Sequence, residues 1–314
     1  MTRPQLRSKL PKLPKRKLSL KKNIKRKQQI WYYNGDTLEQ ERINPEMWMR
    51  LIYENPVGGA SLLWLVKRKS LSRLYGLYCK TRHSAKKLPD FIEKYDVDLS
   101  GSKKQYKNFA QFFSREKNNV TFPEDAQILG APCEGLISIY ENISQDLMIP
   151  AKSSSYSLAE LLQNQELAKS YEGGTMISIR LTPSHYHRMH FFDDGTVTNV
   201  RHIKGDLYSV NPLALTRVMR LYCRNKRAVV EFSSKNFGDT VMVEVGATFV
   251  GSIVHCFKNH EQVTRGQVAS YFKPGGSLVL FFFKKGAFVP CEALVTHSIE
   301  GYETKVNIGA PISQ

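Results

Sequence analysis

Residues 277–283, SLVLFFF, are seven uncharged residues in a row, entered from Lys273-Pro274-Gly275-Gly276 and left through Lys284-Lys285-Gly286. The run is too short for a buried helix. It has the length of a strand and reads as a buried one, with period-two alternation read over GSLVLFFFKKGAFV (276–289). Period-two alternation in TMISIRLT (175–182) and TVMVEVGATFVGSIV (240–254) supplies further strands. Turn signals at Asp194-Gly195, Lys204-Gly205-Asp206 and Lys285-Gly286 break the chain between them. From about residue 118 the sequence reads as mainly antiparallel β, a barrel or sandwich, and argues against a parallel α/β sheet.

The first third has a different texture. Asn44-Pro45 is an N-cap and N1 pair, with Trp48, Leu51 and Ile52 following at helical spacing. Leu71, Leu74, Tyr75 and Tyr78 repeat the pattern behind the cluster Lys67, Arg68, Lys69, and so do Phe109, Phe112 and Phe113. The fold class expected is α+β, a helical region over 31–117 packed on a β-rich domain over 118–314. Interleaved aromatic and basic residues also suit a membrane interface. Residues 1–30 hold twelve Lys and Arg and no acid, so most of the net charge of +18 is a tail. Like charges spaced by Leu and Pro keep such a tail disordered and extended until it meets an anionic partner, lipid surface or nucleic acid. The longest uncharged stretch of this third, residues 55–66, has twelve residues where a membrane span needs about twenty. No apolar core succeeds the tail, so no secretory signal is expected. Five cysteines at 79, 133, 223, 256 and 291 form no CxxC pair and are expected to be reduced thiols, as in a cytosolic protein.

Three places in the β region can carry chemistry. LTPSHYHRMH has histidines at 185, 187 and 190. On a strand, His185 and His187 share a face as an H-x-H metal pair does, with His255, His297 and Glu134 as further candidate ligands for a zinc hydrolase. Glu134, in APCEGLISIY, lies in a turn before a strand. Third, the bare Gly276–Ser277 bond opens the buried run. A glycine carbonyl is sterically open, and the following serine hydroxyl reaches it through a five-membered ring if a turn holds the backbone.

Taken together, these stretches resemble the phosphatidylserine decarboxylase family. LTPSHYHRMH is similar to that family's Thr-Pro-x-x-Tyr-His-Arg-x-His signature, and IKGDLYSVNPLAL to its Pro-Gly-Asp-Leu-Phe-Ser-Val-Asn block. ASYFKPGGSLVLFF corresponds to the self-cleavage site, and YYNGDTLEQERI, LIYENPVGGASLLWLVKRKSLSRLYG, YKNFAQFFSREK, CRNKRAVVEF and VEVGATFVGSI match in order, so the likeness runs over roughly 31–300. The resemblance implies a proenzyme that cuts itself between Gly276 and Ser277, giving a β chain of 1–276 and an α chain of 277–314. Ser277 then becomes a covalent pyruvoyl group that decarboxylates phosphatidylserine to phosphatidylethanolamine through a Schiff base, with no metal. His190 takes the position of the family's base and Glu134 that of the carboxylate orienting it. His187 matches the second functional histidine, a candidate for holding the substrate carboxylate or returning a proton. A lipid substrate makes the membrane, not nucleic acid, the partner of the tail, with a peripheral place on the cytoplasmic face of the cell membrane and a homodimer as the family's assembly. Two departures stand out. Glu134 replaces an aspartate, and Gly275 and Leu278 flank the Gly-Ser pair where the family commonly has a larger apolar residue and a hydroxyl. These are expected to rearrange the relay by about an ångström and to loosen the turn.

Overall fold

The computed structural model describes residues 31–41, 69–144, 146–149, 154–210, 214, 218, 220–247, 253–275 and 277–314. Its first strands are β1 (Trp31–Asn34), β2 (Thr37–Gln40), β3 (Gly135–Tyr140), β4 (Asp146–Ile149) and β5 (Ser154–Ser157). Then come β6 (Thr175–Leu181), β7 (Arg188–His190), β8 (Gly195–Ile203), β9 (Arg227–Ser234) and β10 (Gly238–Val245). The last are β11 (Ile253–His255), β12 (Gln262–Val263), β13 (Val268–Phe272), β14 (Ser277–Phe283) and β15 (Glu303–Val306).

Ten of these form one open sheet in the order β12-β8-β9-β10-β14-β6-β3-β15-β1-β2, and β11-β13-β7 form a second. Neighbouring strands are antiparallel except for β1 beside β15. The sheet does not close on itself, so the architecture is sandwich-like and not a barrel. β14, the uncharged run, lies between β10 and β6, and all seven of its residues are buried. Leu278, Leu280 and Phe282 face one core, shared with the helices Leu158–Leu162 and Leu221–Arg224. Val279, Phe281 and Phe283 face the other, shared with Met189, Ala269 and Phe272 of the small sheet. β14 is thus covered by helices on one side and a second sheet on the other.

Polar groups fix how these layers sit. Glu244 on β10 is fully buried; it accepts a hydrogen bond from Ser270 of β13 and lies 2.6 Å from His255 Nε2 of β11, which ties the large sheet to the small one. Arg180 on β6 reaches both oxygens of Glu41 at 3.0 Å and, through Nε, Glu303 of β15 at 3.0 Å.

The N-terminal region differs from the expectation of helix throughout 31–117. Residues 31–40 are a β-hairpin, β1 paired with β2, turning through Gly35 and Asp36. The Gly35-Asp36 pair explains it: Asn34 pairs with Thr37, so these two residues form the loop, and Gly35 at its first position supplies the positive φ that the turn needs, 59°. Helices do occupy Lys69–Cys79, Leu88–Tyr95 and Phe109–Phe113. The expected helix of Trp48, Leu51 and Ile52 and the tail lie outside the described residues. The helical segment packs on the β domain where Phe113 stacks on His187 with ring centroids 3.9 Å apart.

Among the described residues, Arg180 is the only cation holding the buried Glu41. Replacing it by Gln leaves two carboxylates facing a neutral amide, and loss of one partner of a buried pair costs about 3–5 kcal/mol. Arg180→Gln is expected to lower the urea midpoint by a corresponding amount, and an unchanged midpoint would show the pair to be energetically idle.

Candidate active site

β6 ends at Leu181, and the chain turns back through Thr182-Pro183-Ser184-His185 into β7. Pro183 cannot donate to a ladder and so ends the strand, and the turn closes with the His185 N–H donating to the Thr182 carbonyl at 3.0 Å. Leu181 pairs with Ser277 across β6 and β14, so the turn that carries the histidines begins beside the serine. β14 alternates its faces, and Ser277 points with Val279 toward the small sheet.

The imidazole brought to Ser277 is that of His187. Its Nδ1 lies 3.3 Å from Ser277 Oγ, and its Nε2 lies 3.0 Å from the Thr182 carbonyl oxygen. A carbonyl only accepts, so Nε2 carries the ring proton and Nδ1 turns a lone pair to the hydroxyl. Both groups are fully buried. Burial pushes the pKa of His187 well below the ordinary value, and the charge of Arg115 adds to the effect, so the ring stays neutral at physiological pH. The contact is longer than an ideal hydroxyl hydrogen bond of about 2.8 Å, within what a resting site shows before the reacting groups tighten.

His190 is engaged elsewhere. Its Nδ1 donates to the Gly266 carbonyl at 2.7 Å, leaving Nε2 to accept from the Tyr186 hydroxyl at 3.1 Å. Burial lowers its pKa too. Glu134 pairs with Lys117 Nζ at 3.1 Å, and Lys117 also holds Asp98 at 3.1 Å. Among the described residues, the relay that the resemblance implied from Glu134 through His190 to Ser277 is not formed in this arrangement. The reason is local: β7 pairs His190 with Val268 of β13, next to the Gly266 carbonyl, while His187 lies before the strand and swings to β14. Gly135, the next residue, lets β3 lie close against β6, since a side chain there would meet Ile179 Cγ2 at 2.6 Å.

His185 is also not a partner of His187 in an H-x-H pair. It lies in the turn, where its Nδ1 accepts from the Thr182 N–H at 3.0 Å, and burial among cations pushes its pKa down to about 3. His255 is on Glu244, and His297 lies 2.9 Å from Thr304 Oγ1. No three His, Cys, Asp or Glu side chains converge on a possible metal position among the described residues. Gly276 lies outside the described residues. Gly275 adopts φ 141°, a conformation that side chains rarely tolerate, so the glycine that departs from the family pattern is required by the turn as built here.

Comparison with known proteins gives a consistent picture. Residues 107–313 match a family model described as phosphatidylserine decarboxylase. A phosphatidylserine decarboxylase proenzyme of Clostridium novyi is 42% identical over 277 residues, covering 87% of this chain and 94% of the relative. One of Clostridium botulinum strain 657 is 39% identical over 290 residues, 90% of this chain and 98% of the relative. A third, of Clostridium perfringens, is 39% identical over 290 residues, 90% and 99%.

Three buried neutral histidines make stability depend on pH with a definite sign. His185, His187 and His190 are held below the 6.5 at which they titrate when unfolded. Their contribution is present above pH 6.5 and is lost progressively as pH falls from that value toward the folded-state pKa, about 3 for His185, because the unfolded chain then binds protons that the fold refuses. Each group steepens the loss by up to about 1.4 kcal/mol per pH unit. Urea unfolding at pH 7.5, 6.5 and 5.5 is expected to show midpoints falling steeply between the last two, and a flat profile would place these rings in solvent.

Proposed function

The chain belongs to the phosphatidylserine decarboxylase family, and on that premise we propose that it is a proenzyme whose Ser277, activated by His187, cuts the bond to Gly276 and becomes the pyruvoyl group that decarboxylates phosphatidylserine. The observation that carries the residue assignment is the 3.3 Å contact between His187 Nδ1 and Ser277 Oγ in a site closed to water.

Self-cleavage follows from what these residues do. His187 Nδ1 takes the hydroxyl proton as Oγ attacks the Gly276 carbonyl carbon, while the Thr182 carbonyl, holding Nε2–H, stabilises the imidazolium that forms. Collapse breaks the Gly276–Ser277 C–N bond, with His187 returning the proton to the departing nitrogen, and leaves an ester between Gly276 and Oγ. Loss of the Ser277 α-proton and of the Gly276 carboxylate gives dehydroalanine, whose hydrolysis releases ammonia and leaves the ketone at the head of β14. The surroundings fit that group: a fully buried strand start, flanked by an imidazole that is itself stacked on Phe113. When formed, the pyruvoyl ketone supplies an electron sink for the amine-bearing carbon of the substrate. His187, freed of the Ser277 hydroxyl, is then within reach to return a proton to that carbon. His190 acts as a positioning residue, fixing Tyr186 and the strand entered just after His187.

A diacyl lipid does not leave the bilayer readily, so the enzyme has to work at its surface. The helix Lys69–Cys79 supports membrane contact, because it has no acidic residue and exposes Leu74 and Leu77 beside Arg73. No helix among the described residues is long and apolar enough to cross a membrane. A peripheral position, with residues 1–30 and this helix on anionic lipid, is the reading we adopt, and it leaves nucleic acid without a role. Burying two leucines is worth on the order of 4 kcal/mol. The double variant Leu74→Glu and Leu77→Glu is expected to lose most of its retention by vesicles containing anionic lipid, and equal retention would remove this helix from the account.

Time courses of synthesis in a cell-free system test the assignment of the base. Wild-type chain should divide into two fragments, Ser277→Ala should stay whole, and His187→Ala should slow division by on the order of a hundredfold or more. His190→Ala should divide more readily than His187→Ala. The reverse order would return the base to His190 and leave His187 for turnover.

A further inference from the structure

Among the described residues, one buried cation beside this site has no carboxylate of its own. Lys117 holds Asp98 and Glu134, and Arg180 holds Glu41 and Glu303. Arg227 has no carboxylate either, but its Nε, Nη1 and Nη2 are all engaged by main-chain carbonyls of residues 160, 161, 223 and 225. Arg115 is different. It is 2% exposed, its Nη2 donates to the Ser184 carbonyl at 3.1 Å and its Nη1 only distantly to Phe112 O at 3.5 Å. The charge of Glu134 reaches it, but that carboxylate is bonded to Lys117. The Arg115 Nε is buried with no hydrogen-bond partner among the described residues. A buried guanidinium with an unused donor is costly, and such groups are ordinarily paired.

Its place in the fold is as telling as its unused Nε donor. Arg115 lies two residues after Phe113, which stacks on His187, and it grips the turn of Thr182 and Ser184 whose Thr182 carbonyl orients that imidazole. The charge of Arg115 is felt at both His187 and His185. An anionic substrate that reaches Ser277 therefore enters the field of a buried cation with a donor to offer.

We propose that Arg115 is the specificity-determining residue that takes the phosphate oxyanion of the lipid head group, an assignment that rests on the decarboxylase reading above. Phosphate is favoured over the substrate's carboxylate by the chemistry. A guanidinium fork on the carboxylate would hold the charge that must disperse as carbon dioxide leaves, raising the barrier. The same fork on a phosphate binds a group that does not react, and that binding energy serves to place the reacting end.

The processed protein can be tested with small amines in place of lipid, trapped on the protein by cyanoborohydride and read by mass. Wild type should be half-trapped by phosphoethanolamine at a concentration on the order of tenfold lower than by ethanolamine, and Arg115→Gln should erase that difference. A preference for phosphoethanolamine that survives Arg115→Gln overturns the assignment. So does a wild-type preference for serine over ethanolamine, if that is what the variant erases, because Arg115 would then hold the carboxylate. Absence of trapping by wild type would sink the decarboxylase reading and this assignment with it, a result distinct from trapping with an unaltered preference. Should Arg115→Gln fail to fold or to process, phenylglyoxal on processed wild type replaces it. Modification of Arg115, located by peptide mass, should be slowed by phosphoethanolamine and not by ethanolamine. An equal rate with either, or no reaction while trapping proceeds, overturns the proposal.

Discussion

A serine that attacks its own peptide bond has to be held still, and here the holding is done by a strand that cannot slip. Ser277 pairs with Leu181 on one side, and its successor Leu278 pairs with Val245 on the other. Because β14 is buried on both faces with different partners, a shift by one residue would exchange every side chain between the helix-side core and the sheet-side core. The direction of the Ser277 hydroxyl is therefore set by the whole strand acting together. Everything chemical in the site is arranged around that one fixed direction.

The same burial accounts for how a cut chain remains one structure. Residues after the cut supply β14 in the middle of the large sheet and β15 between β3 and β1, and the helix Glu292–Ile299 takes a hydrogen bond from the Ile139 N–H on Ser298 Oγ. The C-terminal end returns to the N-terminal portion, with the Ile312 N–H on the Leu129 carbonyl at 2.9 Å and the Leu129 N–H on Ser313 Oγ at 2.8 Å. None of these contacts uses the scissile bond. Cutting before Ser277 frees a chain end at the site while the ladders on both sides of β14 persist.

Much of this is legible in the sequence, and the parts that are not have physical reasons. The uncharged run reads as a buried strand, and the ordered motifs point by resemblance to the bond at its head. The hairpin of residues 31–40 is signalled by Gly35-Asp36, yet the aromatic residues of its first strand blend into the helical texture of the first third. The choice between His187 and His190 depends on which ring meets Ser277 Oγ, and three residues of spacing around a turn do not determine that. Glu134 reads as a partner of histidine because the motif pairs them. Its actual partner, Lys117, comes from a different segment of the chain, and only the fold brings the two together. Arg115 in FFSREK looks like surface charge, and only its burial with an unused donor sets it apart.

The central claim is that Ser277 is converted where it stands, inside the sheet. The most direct measurement is the mass of the purified protein under native and denaturing conditions. The account predicts one native particle that separates on denaturation into residues 1–276 and a small chain of residues 277–314 lighter by one ammonia than a chain beginning with serine. A single species of full-length mass under both conditions, or a small chain that begins with an intact serine, would contradict it.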